Sequence, residues 1–406
     1  MSLRALFPRH RIDAEPADLG RALAACALPP RGAAGALEAW ASPDGEVLAT
    51  LSVRSGFDAL LTALALPAGS EVLMSAWTIP DMARVVRAHG LVPVPLDCDA
   101  ATLAPTAETV ARAIGPRSRV LVIAQLFGAR APIEALAEPA RRAGMLVVDD
   151  DAQGYSGPAR LAGSACADVV FHSFGTLKTA TALGGGLVRV RDRGVRARMR
   201  ALMERWPEQA TERYARKVAT FMALAATRDP WRYRALERVA AGVGRDVDAV
   251  VTALTRGFAA DTPEALLRAL RQRPCEALCA TLRRRLEAST TGERVARRRE
   301  AGERMLTRLG GAVTVLGDAM EERTHWLFAV LVREPDRLVQ TLRREGYDAA
   351  RGTSTIAAVS AAPERPEQRA GWCESWRSAV VFLPVYPEVP EGERDRMAEL
   401  VRAMEG

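Results

Sequence analysis

The first half of the chain alternates between two hydrophobic patterns. Short continuous apolar runs rich in Val, Leu and Ile occupy Glu71–Ser75, Leu91–Leu96, Arg119–Ala124, Met145–Val148, Asp168–Phe171 and Gly185–Val190, and they predict strands. Between them, Asp81–His89, Ala107–Ile114 and Ile133–Ala143 carry helical spacing. Unbroken apolar strands are those covered on both faces, and strand–helix alternation builds a parallel sheet through right-handed crossovers. Such sheets bind ligands just beyond the carboxyl ends of their strands. The polar residues at those ends are therefore informative. One run leads into Asp149, Asp150, Asp151 and Gln153, and another into His172 and Ser173, with Lys178 following.

Beyond the sheet region the pattern changes. From about Arg191 to Leu286 the chain is arginine-rich and helical in period, with Trp206, Trp231, Tyr214 and Tyr233. This predicts a helical insertion that caps the core, in preference to a face laid on a membrane. From about Glu287 come a helix, a strand at Trp326–Val332, a helix at Pro335–Glu345, a strand at Ser378–Leu383 and a last helix at Glu391–Met404. The expected organisation is an N-terminal segment (1–40), a large α/β domain (41–190), a helical insertion (191–286) and a smaller C-terminal α+β domain (287–406).

Composition narrows the class. A chain of 406 residues is long for one core and suggests two lobes. With 49% apolar and 26% charged residues, and no apolar run approaching the roughly 20 residues that cross a bilayer, it reads as a soluble protein. The first residues lack the apolar stretch of a signal peptide, so a cytoplasmic protein is expected. Six cysteines without CxxC spacing or nearby histidines predict neither a zinc site nor a disulfide framework. The net charge of +7 is spread along the chain without a nucleic-acid motif, and it suits a phosphate-bearing substrate.

Only two of the 56 basic residues are lysine, Lys178 and Lys217. Arginine cannot lose its proton in a protein or form an imine, whereas lysine does both. A surviving lysine in such a chain marks a place where a primary amine is needed. Lys217 lies in a helical-looking segment, where a solvated face explains it. Lys178 lies among small and hydroxyl residues in HSFGTLKTATALGGG, an odd setting for a solvating charge.

Pyridoxal phosphate (PLP) chemistry accounts for the strand-end residues together. Lys178 carries the Schiff base and moves the proton, and Asp150 faces the pyridine nitrogen, whose protonation makes the ring an electron sink. The turn Ser52–Leu60, with Ser55, Gly56 and Phe57, runs into a helix whose N–H groups suit a phosphate, and Ser173 adds a hydroxyl. Each signal alone has a plainer explanation. Three aspartates can be a solvated turn or a metal cluster, Ser55–Gly56 can be a helix cap, and Gly184–Gly186 a tight turn. Their joint order on alternating strands is what makes them specific.

These stretches resemble the DegT/DnrJ/StrS-type PLP-dependent sugar aminotransferases, over most of Leu51 to Val190 and again near the C-terminus. Ser55–Leu60 resembles the family's SGT(D/A)AL turn, Ser75–Ile79 its PAFTF, Gly90–Asp97 its GARPVFVD, and Gln125–Gly128 its HLYG. Val148–Gln153 is similar to VEDAAQ, Ser173–Lys178 keeps the spacing of SFxxxK, and Val380–Pro387 is similar to LSLPLYP. The resemblance implies a type I, aspartate-aminotransferase-like fold, a homodimer with sites at the subunit interface, and PLP held by Lys178. Asp150 would pair with the pyridinium, Gln153 would sit by the phenolic oxygen, and Ser173 with the Gly56–Phe57 turn would hold the phosphate. L-Glutamate would be the amino donor and a keto-sugar nucleotide the acceptor.

Some positions depart from the family. Phe57 stands in place of a phosphate-binding threonine. Ile79 stands where an aromatic residue stacks on the pyridine ring, so apolar contact is expected to remain and stacking to be lost unless Trp77 substitutes. The partner-subunit NYRMSEL signature is reduced to Arg271–Ala277, where Arg271 or Arg273 supplies a charge. Two alternatives to transamination follow. One is other PLP chemistry such as sugar dehydration, which the retained Lys178 disfavours. The other is a non-catalytic regulatory or binding protein, which intact Lys178, Asp150 and Gln153 disfavour.

Overall fold

The computed structural model describes residues 4–9, 11–242, 262–351, 357–363 and 365–405. Its strands are β1 (Val47–Thr50), β2 (Glu71–Ser75), β3 (Trp77–Thr78), β4 (Val92–Leu96), β5 (Ser118–Ala124), β6 (Leu146–Asp150), β7 (Val169–Ser173) and β8 (Gly186–Val190), then β9 (Thr314–Val315), β10 (Phe328–Leu331), β11 (Ala350–Arg351), β12 (Ala357–Ala358) and β13 (Val380–Leu383). The large sheet has seven strands in the order β1-β8-β7-β6-β5-β2-β4. The pairs from β7 through β6, β5 and β2 to β4 are parallel, and β8 runs antiparallel to β7 and β1. The fold is therefore the expected α/β architecture with a mostly parallel sheet. β1 carries no strand expectation, because the four residues Val47–Thr50 are too few to show a period.

Both faces of the sheet are covered, which explains the unbroken apolar runs. Val72, Met74, Val120, Val122, Val148, Phe171 and Val188 point to one face and pack against Phe57, Leu60, Met82 and Met199. The alternate residues Leu73, Leu121, Ile123 and Val147 point to the other, against Val110, Leu136 and Phe382. The helices Arg193–Glu204 and Pro263–Leu270 add Met199, Met203, Leu266 and Leu270 to the first face. The helices Thr211–Ala225 and Glu276–Glu287 pack Tyr214, Phe221, Leu278 and Leu282 with Leu19 and Leu37 of the N-terminal helices. The arginine-rich stretch is thus built into the cores, and its residues 243–261 lie outside the described residues. No helix among the described residues is long and apolar enough to cross a membrane.

The C-terminal lobe is an antiparallel sheet in the order β11-β13-β10-β9. The helices Thr290–Leu309, Pro335–Glu345 and Glu391–Glu405 close its core through Met305, Leu338, Leu342 and Met397. β3 and β12 pair with one another and join the two lobes.

Candidate active site

β6 ends on Asp150 and β7 on Ser173, so the parallel register carries both to one rim of the sheet. Side chains alternate across a strand, so Asp150 shares its face with Val148 while Asp149 and Asp151 share the opposite one with Val147. Three consecutive aspartates are thereby divided between two environments.

Asp150 is buried, at 6% exposure. Burial pushes its carboxyl up to about 6 against the attraction of Lys178. Lys178 is half-buried, and burial pushes its amine down to about 7, opposed by Asp150 and aided by the charge of Arg54. Its Nζ stands 4.0 Å from the centroid of the Trp326 ring. The Trp326 indole N–H donates to the Leu177 carbonyl at 2.9 Å, which fixes the turn that carries the lysine. Sequence reasoning took Trp326 only as the start of a strand, and no local signal marks it as a neighbour of Lys178.

The start of the helix Val53–Leu64 comes to the same rim through close packing. Ser173 is the ladder partner of Gly186. A Cβ on Gly186 would lie 3.0 Å from the Val53 nitrogen and from the Ser52 carbonyl carbon, so glycine is what lets the helix start approach this closely. Gly56 does the same one turn on, where a Cβ would stand within 2.4 Å of Val188 Cγ2. Ser52 caps the helix, its Oγ accepting the Ser55 N–H at 3.1 Å.

This geometry corrects the expected phosphate turn. The Gly56 N–H donates to the Ser52 carbonyl at 3.0 Å, inside the helix. The Phe57 side chain lies in the core at 0% exposure, edge-on to Phe171. The N–H of Val53, in the first turn, has no acceptor within the helix, unlike that of Gly56. Ser55 is buried and in contact with Ser52 Oγ, 3.0 Å away.

Trp77 is also placed otherwise than expected. Its ring packs in the core of the opposite face, edge-on to Phe127 and Trp376, and its Nε1 donates to the Cys373 carbonyl at 2.7 Å. Ile79 packs against the Asp150 side of the sheet. Gln153 is buried, and its Oε1 accepts the Phe127 N–H at 2.9 Å, which leaves its amide nitrogen to donate.

Arg271 is taken up by an internal charge. Its Nε and Nη2 donate to the two oxygens of Asp58 at 2.9 and 3.1 Å, and His89 Nε2 lies 2.8 Å from the same carboxylate. Burial pushes the Asp58 carboxyl up, but the bonds to His89 and Arg271 outweigh it and hold the group below its usual range. Arg273 donates to the Trp206 carbonyl at 3.1 Å.

Lys217 is not on a solvated face. It is half-buried, and burial together with the charges of Arg54 and Arg213 pushes its amine down to about 8. Arg54 therefore acts electrostatically on both lysines of the chain, from the second position of the helix that starts at the rim. Arg54 is bound to Asp81 at 2.5 Å.

The opposite face holds a second polar cluster. Gln125 Nε2 donates to Asp149 Oδ1 at 3.0 Å, and Arg130 lies 3.6 Å from Asp149 and 3.9 Å from Asp151. His172 Nδ1 is 3.6 Å from Asp151. Burial pushes the Asp149 and Asp151 carboxyls up and the His172 imidazole down to about 3. At neutral pH this face therefore pairs Arg130 with a buried carboxyl and keeps the imidazole uncharged. Among the described residues no group of His, Cys, Asp and Glu is arranged to hold a metal ion.

Comparison with known proteins bears on the family resemblance and the fold. Residues 38–226 match the profile of the DegT/DnrJ/EryC1/StrS aminotransferase family. A dTDP-4-dehydro-2,3,6-trideoxy-D-glucose 4-aminotransferase of Saccharopolyspora spinosa is 29% identical over 130 residues, which is 31% of this chain and 33% of that enzyme. The chain thus aligns with about a third of the length of that curated relative. The aminotransferase TlmJ of Streptoalloteichus hindustanus has the same fold, with a TM-score of 0.68, 19% identity and 98% of both chains covered. A putative sugar aminotransferase of Streptococcus pneumoniae, solved in PLP and PMP forms, superposes with a TM-score of 0.69 at 14% identity over 98% of both chains. PseC of Helicobacter pylori, an aminotransferase of pseudoaminic acid biosynthesis, gives 0.69 at 12% identity, covering 98% of this chain and 99% of its own. The segment that carries Lys178, the three aspartates and the helix start is the part of the chain that matches the DegT/DnrJ/EryC1/StrS aminotransferase profile.

Proposed function

We propose that the protein is a PLP-dependent aminotransferase that takes an amino group from a donor such as L-glutamate and passes it to a keto-sugar nucleotide, working as a homodimer. The observation that carries this reading is the pairing of buried Asp150, at the end of β6, with half-buried Lys178, whose amine burial brings down to about 7 and whose charge acts on Asp150. The residues present fit PLP on two counts. A cationic rim with a helix start suits a dianionic phosphate, and Lys217, Arg54, Ser173 and the Val53 N–H would hold it. A buried carboxylate that its neighbours do not fully neutralise suits a pyridinium, so Asp150 would hold the ring nitrogen.

Bound there, PLP would supply an electron sink for the substrate carbon. Lys178 would hold the cofactor through its amine and, once displaced, carry a proton to and from the substrate at Nζ. An amine near 7 does this at neutral pH, where one near the ordinary lysine value of about 10.4 would stay protonated. Asp150 would keep the ring nitrogen charged. The Gln153 amide nitrogen would donate to the phenolic oxygen. Ile79 would cover the ring with apolar contact in place of stacking. Trp326 would bound the site on the C-terminal-lobe side.

Incubating the PLP-loaded protein with L-glutamate tests the reading. Conversion of bound PLP to pyridoxamine phosphate, with release of 2-oxoglutarate, is the expected result. A PLP spectrum that no amino donor alters would sink it in favour of other PLP chemistry. Failure to bind PLP would leave a non-catalytic member of the family.

A further inference from the structure

A small cavity of about 120 Å³ opens beside the lysine, between the N-terminal segment and the two lobes, bounded by Leu177, Trp326, Phe382, Tyr386, Arg294 and Arg298. Trp326 lines it, and Lys178 Nζ stands 4.0 Å from the centroid of the same ring, so the cavity reaches the neighbourhood of the amine. Several arginines line it, but most are already neutralised. Arg11 pairs with Glu388 at 3.3 Å, Arg294 with Asp13 at 2.9 Å, and Arg351 with Asp336 at 2.8 Å.

Arg298 differs. It is buried, at 8% exposure, on the helix Thr290–Leu309. Its Nε donates to the Thr324 carbonyl at 3.0 Å and its Nη2 to the Thr179 hydroxyl at 2.9 Å. Both acceptors are neutral. Among the described residues its guanidinium has no carboxylate in ion-pair range, and no hydrogen bond to a described residue occupies Nη1. Burial pushes its guanidinium down to about 10, a cost that an arriving anion would relieve. Thr179 follows Lys178 directly, so the fork is fixed relative to the amine by one peptide link.

We infer that Arg298 is the carboxylate-binding residue of the amino donor, holding a small amino acid in this cavity with its amine toward Lys178. The inference rests on the aminotransferase reading. A planar fork matches a carboxylate, and the orientation of the fork is set before the ligand arrives. Size decides between the two substrates. A cavity of about 120 Å³ is well under the roughly 300–1,000 Å³ that hold drug-sized ligands, so it fits a small dicarboxylate and not a nucleotide sugar.

The test is calorimetric binding of glutarate, a dicarboxylate without an amine, to the PLP-loaded protein and to PLP-loaded R298Q and R298K. Loss of one charged hydrogen-bonding partner should weaken glutarate by about 10–100-fold in R298Q. R298K keeps the charge but not the fork, and should fall between R298Q and the parent. It carries the test if R298Q does not fold. Borohydride-fixed PLP on Lys178 should be the same in all three. Equal glutarate affinity in parent and variants, or none in the parent, would overturn the inference while fixed PLP on Lys178 kept the aminotransferase reading standing. A loss confined to thymidine diphosphate binding would assign Arg298 to the acceptor's phosphates and also overturn it. If PLP does not attach to Lys178 in the parent, the functional reading falls and takes this inference with it.

Discussion

The two faces of β6 carry the same residue type to opposite ends. Asp150 is acted on by the charge of Lys178, an amine that burial has brought near neutral pH. Asp149 and Asp151, one residue away on either side, look at Arg130, Gln125 and His172 in a closed interior. Burial raises all three carboxyls. What separates them is the partner. Asp150 faces a group that can change its charge during a reaction, whereas Asp149 faces a guanidinium that cannot. A carboxylate is therefore chemical or structural according to the titratability of what it meets, and burial alone does not sort the two.

The contrast can be broken at several points. Lys178→Arg should have the largest effect, since it keeps the charge that Asp150 meets but cannot form an imine. Mass mapping after borohydride treatment should find no PLP on the chain. An adduct at Lys217, the one other lysine of the sequence, would move the chemistry away from Asp150. Next, Asp150→Asn should slow the half-reaction with L-glutamate by about 10²–10⁴-fold in stopped-flow measurements, while Asp151→Asn should leave it within about three-fold. Comparable losses in both would erase the distinction between the faces.

Asp149→Ala should instead act on stability. It strands Arg130 in the interior, a change that costs about 3–5 kcal/mol in urea unfolding of the PLP-free protein. Asp150→Asn should unfold close to the parent.

The pH dependence sharpens the same point. With the Lys178 amine at about 7, capture of PLP by the PLP-free protein should accelerate as pH rises from 6 to 8 and then level off. Below that range the amine is protonated and cannot attack, and above it the amine is already neutral. A rate still climbing above pH 9 would mean that burial does not tune the amine. The smallest effect is expected at Lys217→Gln. Loss of one half-buried cation, worth about 1 kcal/mol, should weaken PLP binding by about five-fold in equilibrium dialysis. No change would remove Lys217 from the proposed phosphate site.

Much of this arrangement is written in local sequence. The strands from Glu71 to Val190 are legible because both faces of the sheet are covered, so each strand is apolar without interruption. Asp150 and Ser173 are legible because they stand at strand ends, and Lys178 because lysine is so rare in this chain. Alternation along β6 then dictates that Asp150 and its two neighbours face opposite ways. Which N–H groups are open at the proposed phosphate turn is something that sequence does not show. Whether an N–H at Val53 or at Gly56 is open depends on where the helix starts, and the Ser52 cap decides that. Gly186 reads as a turn glycine until its approach to the helix start is seen. Trp77, a plausible stacking ring by position, is claimed by a carbonyl nearly 300 residues away, at Cys373. Arg271, a plausible phosphate ligand by charge, is claimed by Asp58.

The sequence by itself determined which residue can form an imine, which strands are buried and that Asp150 faces away from Asp149 and Asp151, because these follow from side-chain chemistry and a period of two. Only the tertiary structure decided what Lys217, Trp326 and Arg298 do. Their surroundings are assembled from segments tens to hundreds of residues apart, and the charge that each one meets there is a property of packing.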